Sequence, residues 1–244
     1  MENAIEINHL TKKYGEKTVV NNISFQVAEN GIFSLLGVNG AGKTTTIRIL
    51  SGLSKATSGN ATILGYDVHN EIEEVKPVIN ISTQETAIAP NLTVKENLQF
   101  MAEIYGMKKE DVRSNLKIIT QQFGLEEVLD TRAGKLSGGY QRKVSIAMAT
   151  ITKPKVLFLD EPTLGLDVLA RRELWKTINI LKENTTIVLT THYMEEAEAL
   201  SDKVAIMVQG EIKDIGTVEE LKEKYKKDTL EEVFVTVVEK LNEL

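Results

Sequence analysis

The stretch "IFSLLGVNGAGKTTTIRIL", residues 32–50, decides the fold of this chain. It begins with "IFSLLG", a short and nearly continuous apolar run that is typical of a strand buried on both faces of a parallel sheet. It ends with the start of "KTTTIRILSGL", which predicts a helix that stops near Gly52. Between the two, Gly37–Thr44 fits the phosphate-loop pattern G-x-x-x-x-G-K-[ST] in the strand–loop–helix context that the pattern needs. The sequence therefore predicts an α/β protein that binds the phosphates of a nucleotide.

The residues of this loop have predictable tasks. Lys43 is expected to reach the β- and γ-phosphates, and the Thr44 hydroxyl is expected to bind Mg²⁺. Backbone N–H groups at a helix start favour anions. The groups expected to surround the phosphates belong to Asn39, Gly40, Ala41, Gly42, Lys43, Thr44 and Thr45.

A second apolar run, "VLFLDE", ends in the carboxylates Asp160 and Glu161. A carboxylate at the C-terminal end of such a strand faces the ligand crevice of an open α/β sheet. Asp160 suits the coordination shell of Mg²⁺, and Glu161 suits a base or a residue that orients the attacking water. His192, at the end of "TIVLTTH", is placed to touch a γ-phosphate, although a histidine at a strand end is also commonly structural.

A second glycine pair opens a helix in "KLSGGYQRKVSIA", residues 135–147. Glycine costs roughly 1 kcal/mol relative to alanine inside a helix, but at a helix start it lets bare N–H groups approach an anion. The chain thus carries two glycine-rich helix starts of this kind, which raises the possibility of a two-site design.

Composition limits the class of protein. Of the 244 residues, 42% are hydrophobic and 26% charged, as in ordinary globular proteins. The net charge of −6 and the lack of a basic stripe argue against nucleic acid as a partner. There are no cysteines, which excludes disulfides and thiolate metal sites. We expect no signal peptide, and no apolar run approaches the ~18 residues of a membrane span.

The hydrophobic pattern changes along the chain. "AIEINHL" and "NISFQV" alternate as half-buried strands, and "NATILGYDV" is predicted to be a further edge strand. From Thr93, where "TVKE" matches a capping box, to about Thr152 the pattern is helical, and Gly124 is predicted to end one of the helices. The strands "VLFLD", "TIVLTTH" and "KVAIMV" follow, and then two C-terminal helices. The predicted fold is a mostly parallel sheet flanked by helices, with an antiparallel β edge subdomain and an inserted helical subdomain at 93–152.

These motifs, in this order, resemble the nucleotide-binding subunit of an ATP-binding cassette (ABC) transporter. The resemblance covers roughly residues 5–216 and rests on motifs in register: "KYG", "GVNGAGKTT", the Gln84 loop, "LSGGYQR", "VLFLDEP", "GLD" and "TTH". "LSGGYQR" is the most specific of them. "TVKENLQFMAEIYG", "THYMEEAEALSDKVAIMVQGEI" and "TLEEVF" are most similar to export-type (ABC-2-like) cassettes. The resemblance implies an ATPase domain over 1–216 and a C-terminal helical tail over 217–244.

The resemblance also implies roles for single residues. Tyr14 would stack on adenine, and Gln84 would link the Mg²⁺ and water site to the helical subdomain, where a membrane partner docks. Ser137 and Gly139 would contact the γ-phosphate of ATP held by another subunit. Asp167 would communicate between the two sites, and His192 would sense the γ-phosphate. Without the resemblance, Gln84 and Tyr14 are weak signals, because surface glutamines and turn aromatics are common.

The same resemblance implies the partners and the location. It implies ATP and Mg²⁺ as ligands, a second nucleotide-binding subunit that is identical or different, and a polytopic permease. The chain would act on the cytoplasmic face of the cell membrane. Three residues depart from the family pattern: Val38 and Val168 stand where proline is usual, and Met148 stands where arginine is common. None of these removes a group that does chemistry, so we expect an active enzyme.

Three other classes compete with this one. Soluble ABC proteins of translation or DNA usually carry two cassettes or a long coiled coil, and this chain has one cassette. A small GTPase or nucleotide kinase is another class, but a GTPase needs a guanine-reading N-K-x-D, which this sequence lacks. A nucleotide-gated structural subunit without turnover is disfavoured because both Glu161 and His192 are present.

Overall fold

The structure, a computed structural model, describes residues 3–242 and is built around a six-stranded sheet. The order is β10-β9-β3-β8-β7-β6, in which every neighbouring pair is parallel except β9 with β10. The strands are β1 (Asn3–Tyr14), β2 (Lys17–Ala28), β3 (Gly31–Leu36), β4 (Ser58–Ile63), β5 (Tyr66–Asp67), β6 (Ile79–Ser82), β7 (Val156–Asp160), β8 (Thr186–Thr191), β9 (Lys203–Val208) and β10 (Glu211–Gly216). The predicted mostly parallel sheet is confirmed.

Both faces of this sheet are buried, which explains the unbroken apolar runs of its strands. On β7, Val156 and Phe158 join one apolar cluster, and Leu157 and Leu159 join another on the opposite face. The helices that cover the two faces and the sheet end are α1 (Lys43–Leu50), α2 (Ile72–Val75), α3 (Val94–Ile104), α4 (Lys109–Phe123), α5 (Gly138–Thr150), α6 (Val168–Leu181), α7 (Met194–Leu200), α8 (Val218–Tyr225) and α9 (Leu230–Asn242).

The antiparallel edge is a separate four-stranded sheet with the order β2-β1-β4-β5. It packs on the face of the central sheet that α1 also covers. The prediction that "NATILGYDV" is one strand is wrong, because the chain reverses at Leu64 and Gly65. Both residues have positive φ, 49° and 84°, which suits a two-residue hairpin turn. The result is the short hairpin β4–β5.

The helices α3, α4 and α5 lie between β6 and β7, in the segment where the pattern is helical. The predicted capping box at the start of α3 is present: Thr93 accepts from the Glu96 N–H, and the Glu96 carboxylate accepts from the Thr93 N–H. The predicted stop of α4 at Gly124 is also present, with φ 61°. These three helices share an apolar cluster with α6 and the central sheet, so α5 is fixed against β7.

The two C-terminal helices pack on the remaining edge of the core. Leu221 of α8 and Val233 of α9 belong to one apolar cluster with Val204 and Ile206 of β9. The division of the chain into 1–216 and 217–244 stays a prediction. Among residues 3–242, no helix is both long and apolar enough to cross a membrane.

Candidate functional site

The phosphate loop joins β3 to α1, and glycine is required where α1 begins. Gly42 has φ 109°, and a Cβ there would lie 2.6 Å from the Val19 carbonyl oxygen and 2.7 Å from Met207 Cε. Within residues 3–242 no side chain caps α1 at Gly42. The first N–H groups of a helix have no carbonyl partner inside the helix. This helix start therefore has free donors and a favourable dipole for an anion.

Lys43 is held inside the loop and is only 4% exposed. Its ammonium donates to the carbonyl oxygens of Gly37 at 2.6 Å and Val38 at 3.2 Å. It also forms an ion pair with Glu161 Oε1 at 3.3 Å. A compact cation with three donors is therefore fixed beside the uncapped helix start, with a carboxylate as counter-charge.

Asp160, the last residue of β7, faces the loop. Its Oδ1 accepts a hydrogen bond from the Thr44 hydroxyl at 3.0 Å and from the Thr190 hydroxyl at 2.6 Å. The side chain of Asp160 is buried, and Thr44 is the second residue of α1. Two hard oxygen groups thus lie together at the mouth of the phosphate loop, which is the donor type that Mg²⁺ prefers.

Glu161 follows β7 in a left-handed backbone conformation, with φ 50°. Such a conformation is uncommon for a residue with a side chain. Its N–H donates to the backbone oxygen of Thr190 at 3.2 Å and to the Thr190 hydroxyl at 3.0 Å. The residue is 5% exposed, and its carboxylate lies between Lys43 and His192. The strained turn aims this carboxylate across the loop.

His192 continues the chain of polar contacts after β8. Its Nδ1 lies 2.6 Å from Glu161 Oε2, and because a carboxylate only accepts, Nδ1 carries the proton. A neutral ring in this tautomer leaves Nε2 as an acceptor. The imidazole is 26% exposed, so it can meet a ligand from its open side.

One cavity of about 250 Å³ brings most of the predicted residues together. Its lining comprises Val19, Asn39, Gly40, Gly42, Lys43, Thr44, Thr45, Gln84, Glu161, Leu164 and His192. The loop, the candidate base, the strand-end histidine and Gln84 therefore line one cavity, although they lie far apart in sequence.

Six predicted residues lie outside the lining of this cavity: Tyr14, Ala41, Ser137, Gly139, Asp160 and Asp167. Ala41 and Asp160 are buried, and Asp160 accepts a hydrogen bond from the Thr44 hydroxyl, which does line the cavity. Tyr14, at the end of β1, is half exposed with the Lys12 ammonium 4.8 Å from its ring centre. Ser137 caps α5 by accepting from the Tyr140 N–H, and Asp167 caps α6 by accepting from two N–H groups. Gly139 lies near the start of α6, because a Cβ on it would be 3.3 Å from Ala170 Cβ. The "LSGG" start and the "GLD" loop are therefore neighbours within the chain.

Sequence reasoning missed Arg142, which is buried behind the cavity. Its guanidinium donates only to backbone carbonyls, from residues 83–84 and 160–162. Desolvation by burial lowers the pKa of Arg142, and the nearby carboxylates of Asp160, Glu196 and Glu161 oppose that shift. Arg142 lies in the motif "LSGGYQR", which the sequence analysis singled out. Its role could not be predicted, because every residue has a backbone carbonyl and the sequence does not show which carbonyls an arginine will bind.

Glu196 of α7 was also missed. It is fully buried; its Oε1 accepts from the Thr163 hydroxyl at 2.8 Å and from the Trp175 indole at 3.1 Å. Among the described residues its Oε2 has no hydrogen-bond partner. Burial raises the pKa of Glu196, the main cause being desolvation. This carboxyl ties the segment after Glu161 to the helix after His192.

The structure accommodates all three departures from the family pattern and keeps the conformation of the phosphate loop. Val38 is exposed, and its carbonyl accepts from both Lys43 and the Ala41 N–H. Met148 is buried in the apolar cluster beneath α5, so no charge is left unpaired there. Val168 is exposed as the first residue of α6.

Comparison with known proteins identifies a matching family and several relatives of this chain. The family model described as "ABC transporter" matches residues 20–164. The Linearmycin resistance ATP-binding protein LnrL of Bacillus subtilis (strain 168) is 38% identical over 95% of this chain and 75% of the relative. The Phospholipid-transporting ATPase ABCA3 of Homo sapiens is 40% identical over 91% of this chain, which spans only 13% of that protein. The Probable multidrug ABC transporter ATP-binding protein YbhF of Escherichia coli (strain K12) is 34% identical over 97% of this chain and 42% of the relative.

Solved structures show the same fold. The ATP binding subunit of an ABC transporter superposes with a TM-score of 0.87 at 29% identity, covering 96% of this chain and 99% of that one. The cbiO1 protein from Clostridium perfringens, part of the ABC transporter complex cbiONQ, superposes with a TM-score of 0.84 over 93% of both chains. At 24% identity it supports the fold alone.

The predicted fold class and the predicted binding of ATP are thereby confirmed. The matched segment contains the phosphate loop, the Gln84 loop, "LSGG" and both strand-end carboxylates. This chain belongs to the ABC transporter family, as one of its ATP-binding proteins.

Proposed function

We propose that this chain hydrolyses ATP with Mg²⁺ in a head-to-tail pair of nucleotide-binding subunits and thereby drives export through a separate permease. The observation that carries the proposal is the single cavity in which Lys43, Thr44, Gln84, Glu161 and His192 meet. A phosphate loop alone indicates binding, whereas a buried carboxylate beside it indicates hydrolysis.

The residues at the loop divide the work of holding the triphosphate. The N–H groups at the start of α1 would bind phosphate oxygens, and Lys43 would leave Glu161 to pair with the β- and γ-phosphates. Thr44 and Asp160 would hold Mg²⁺, since the Thr44 hydroxyl oxygen and Asp160 Oδ1 already lie 3.0 Å apart. When bound, the cation would neutralise negative charge on the phosphates.

Glu161 and His192 would act on the attacking water. The Glu161 carboxylate is acceptor-only and fixed at both oxygens, so it would orient the water and accept its proton. The His192 Nδ1 proton holds that carboxylate in place. Gln84 reaches the same cavity from the loop after β6 and would complete the water site.

The second glycine-rich helix start would serve another subunit. Within one chain Gly139 lies beside α6, and neither Ser137 nor Gly139 lines the cavity. A two-fold, isologous dimer would place the "LSGG" of one subunit opposite the phosphate loop of the other. Ser137 is exposed, which supports this arrangement because the start of α5 is accessible to a partner.

A permease partner is proposed from the relatives. The relative YbhF is named a probable multidrug ABC transporter ATP-binding protein, and the relative LnrL a linearmycin resistance ATP-binding protein. A permease would dock on the helical segment next to the Gln84 loop, and the complex would act at the cytoplasmic face of the membrane. The transported substrate would be selected by the permease.

The test of this proposal is expression of the tagged chain in its native host, followed by purification from detergent-solubilised membranes. We expect a polytopic membrane protein to co-purify in stoichiometric amount and Mg²⁺-dependent ATP hydrolysis to be higher in the complex than in the isolated chain. A chain that binds ATP but shows no turnover in either form would favour the nucleotide-gated structural subunit instead.

Nucleotide choice gives a second prediction. Stacking on Tyr14 would accept any purine, so we expect GTP to be hydrolysed within about tenfold of ATP, or about 1.4 kcal/mol. Tyr14→Ala should weaken binding of both nucleotides by about 1–3 kcal/mol, the range for base–aromatic stacking. Titration with fluorescent ATP and GTP analogues measures both effects. Tyr66→Ala, which changes another exposed tyrosine of the antiparallel sheet, is the matched control. A thousandfold preference for ATP would contradict this view of the base site.

A further inference from the structure

Arg142 connects three segments of the chain through one side chain. It lies on α5, one turn after the "LSGG" glycines, and is 4% exposed. Its Nε donates to the Pro162 carbonyl at 2.8 Å, and its Nη1 donates to the carbonyls of Thr83 at 2.6 Å and Gln84 at 3.1 Å. Its Nη2 donates to the carbonyls of Asp160 at 2.9 Å and Glu161 at 2.5 Å.

The guanidinium is therefore used to its full capacity. Arginine has five N–H donors in a rigid planar fork, and Arg142 makes five contacts, all to backbone oxygens. Hydrogen bonds from a charged donor are about twice as strong as neutral ones. Because the acceptors belong to the backbone, the contacts fix the course of the chain rather than one rotamer.

Among these hydrogen bonds, the one from Arg142 to the Glu161 carbonyl has the largest consequence for the site. This residue has φ 50°, and such a conformation persists only when its surroundings hold it. Thr190 fixes its N–H, and Arg142 fixes its carbonyl. The two anchors hold the two ends of the Glu161 backbone, so together they determine where its carboxylate points.

The same guanidinium holds the loop that carries Gln84. It binds the carbonyls of Thr83 and Gln84, and Gln84 lines the cavity together with Glu161. A single rigid group thus sets the spacing between the Gln84 loop and the turn after β7. Its positive charge also faces three buried carboxylates, those of Asp160, Glu161 and Glu196.

We propose that Arg142 is a positioning residue for hydrolysis, which holds Gln84 and Glu161 in register with each other and ties both to the helix that begins at Ser137. This inference rests on the proposed function, since it assumes that Glu161 and Gln84 act on the attacking water. Arg142 is not itself among the residues that line the cavity. It holds two of them, Gln84 and Glu161, through their backbone carbonyls.

The test compares Arg142→Met and Arg142→Lys with a stability-matched control. Methionine fills similar space without donors, whereas lysine keeps the charge and part of the hydrogen bonding. Ile146→Ala, one turn further along α5 and fully buried, lowers stability without touching either loop. For each variant, thermal unfolding, the dissociation constant for ATP, and kcat and KM for hydrolysis are measured.

We expect Arg142→Met to lower kcat about 100-fold, the scale of a misplacement of about 1 Å at a reacting group. The dissociation constant for ATP should stay within about threefold, because the phosphate loop is untouched. Arg142→Lys should recover part of the lost kcat. Ile146→Ala should keep nearly wild-type kcat at a similar unfolding temperature. Exchange of the backbone amide hydrogens of residues 83–88 should be faster in Arg142→Met than in the wild type, and unchanged in Ile146→Ala.

A role in packing alone gives the opposite order. The kcat values of the two Arg142 variants would then follow their unfolding temperatures, and the kcat of Arg142→Met would equal or exceed that of Arg142→Lys. Ile146→Ala would lose as much kcat as the Arg142 variants do. Any of these results would overturn the proposal. If Arg142→Met does not fold, the comparison of Arg142→Lys with Ile146→Ala still tests the proposal. Equal kcat values of these two variants at equal stability would reject a positioning role for Arg142. Failure of the wild-type chain to hydrolyse ATP at all would instead reject the proposed function.

Discussion

Glu161→Gln is expected to slow ATP hydrolysis by about 10²–10⁴-fold while ATP still binds, because general-base assistance is typically worth that much. The amide fits the same buried space and can still accept from His192 Nδ1 or Lys43. It no longer accepts a proton from water at neutral pH. The variant should therefore retain ATP and accumulate as an ATP-bound dimer, which steady-state hydrolysis and size-exclusion chromatography with and without ATP would detect.

The matched control for this change is Glu73→Gln. Glu73 is an exposed glutamate of α2 whose side chain pairs with Lys76 at the surface, so the same chemical change there should leave turnover unaffected. Near-normal hydrolysis by Glu161→Gln would remove Glu161 from the role of base. The pair formed by His192 and Glu161 would then have to be explained as a structural contact.

The sequence was sufficient to predict the local part of the site. The phosphate loop, the capping box at Thr93 and the stop at Gly124 are each specified by a few adjacent residues, so a pattern can reveal them. The carboxylates Asp160 and Glu161 could be predicted because a buried parallel strand delivers its C-terminal end to the ligand crevice. The structure then brought Glu161, His192 and Lys43 into contact.

The sequence was not sufficient where the partner is a distant backbone atom. Arg142 binds carbonyls of residues as far away as Thr83, and Glu196 accepts from Thr163 and Trp175, yet carbonyls and long-range pairs leave no mark on local composition. The prediction of a single strand through Leu64 was wrong for another reason. Leucine rarely adopts a positive φ, so the hairpin depends on Gly65 and the sheet around it.

The proposed pairing of "LSGG" with a phosphate loop across two subunits predicts how two defects combine. Gly139→Asp would place a carboxylate against the γ-phosphate bound by the other subunit. It should leave ATP binding by the monomer almost intact and abolish dimerisation and hydrolysis. Lys43→Ala should instead weaken binding on its own side, because it removes the cation beside the start of α1. Each variant alone should therefore be inactive as a homodimer, for different reasons.

Mixed dimers with distinguishable tags separate these two defects. When Lys43→Ala is on one subunit and Gly139→Asp on the other, both defects fall on one composite site, and the second site is wild type on both faces. When both substitutions are on one subunit and its partner is wild type, each composite site carries one defect. A head-to-tail arrangement therefore predicts more ATPase activity in the first mixed dimer than in the second.

Both mixed dimers contain the same two substitutions and the same number of wild-type groups, so a difference between them reflects only which groups share a site. Thermal unfolding of Gly139→Asp provides the control for folding, since a Cβ at this position lies 3.3 Å from Ala170 Cβ and is already tightly packed. Activity confined to the first mixed dimer would show that Gly139 acts on ATP bound by the other subunit. If the sites are so tightly coupled that one spoiled site stops both, the first mixed dimer should still trap labelled ATP at its intact site and retain it through a chase with unlabelled ATP. The second mixed dimer also has one wild-type phosphate loop, but that loop faces Gly139→Asp, so its labelled ATP should exchange during the chase, as filter binding would detect. Equal activity and equal trapping in the two dimers would show that "LSGG" does not act across the interface, and the two-subunit site would have to be abandoned.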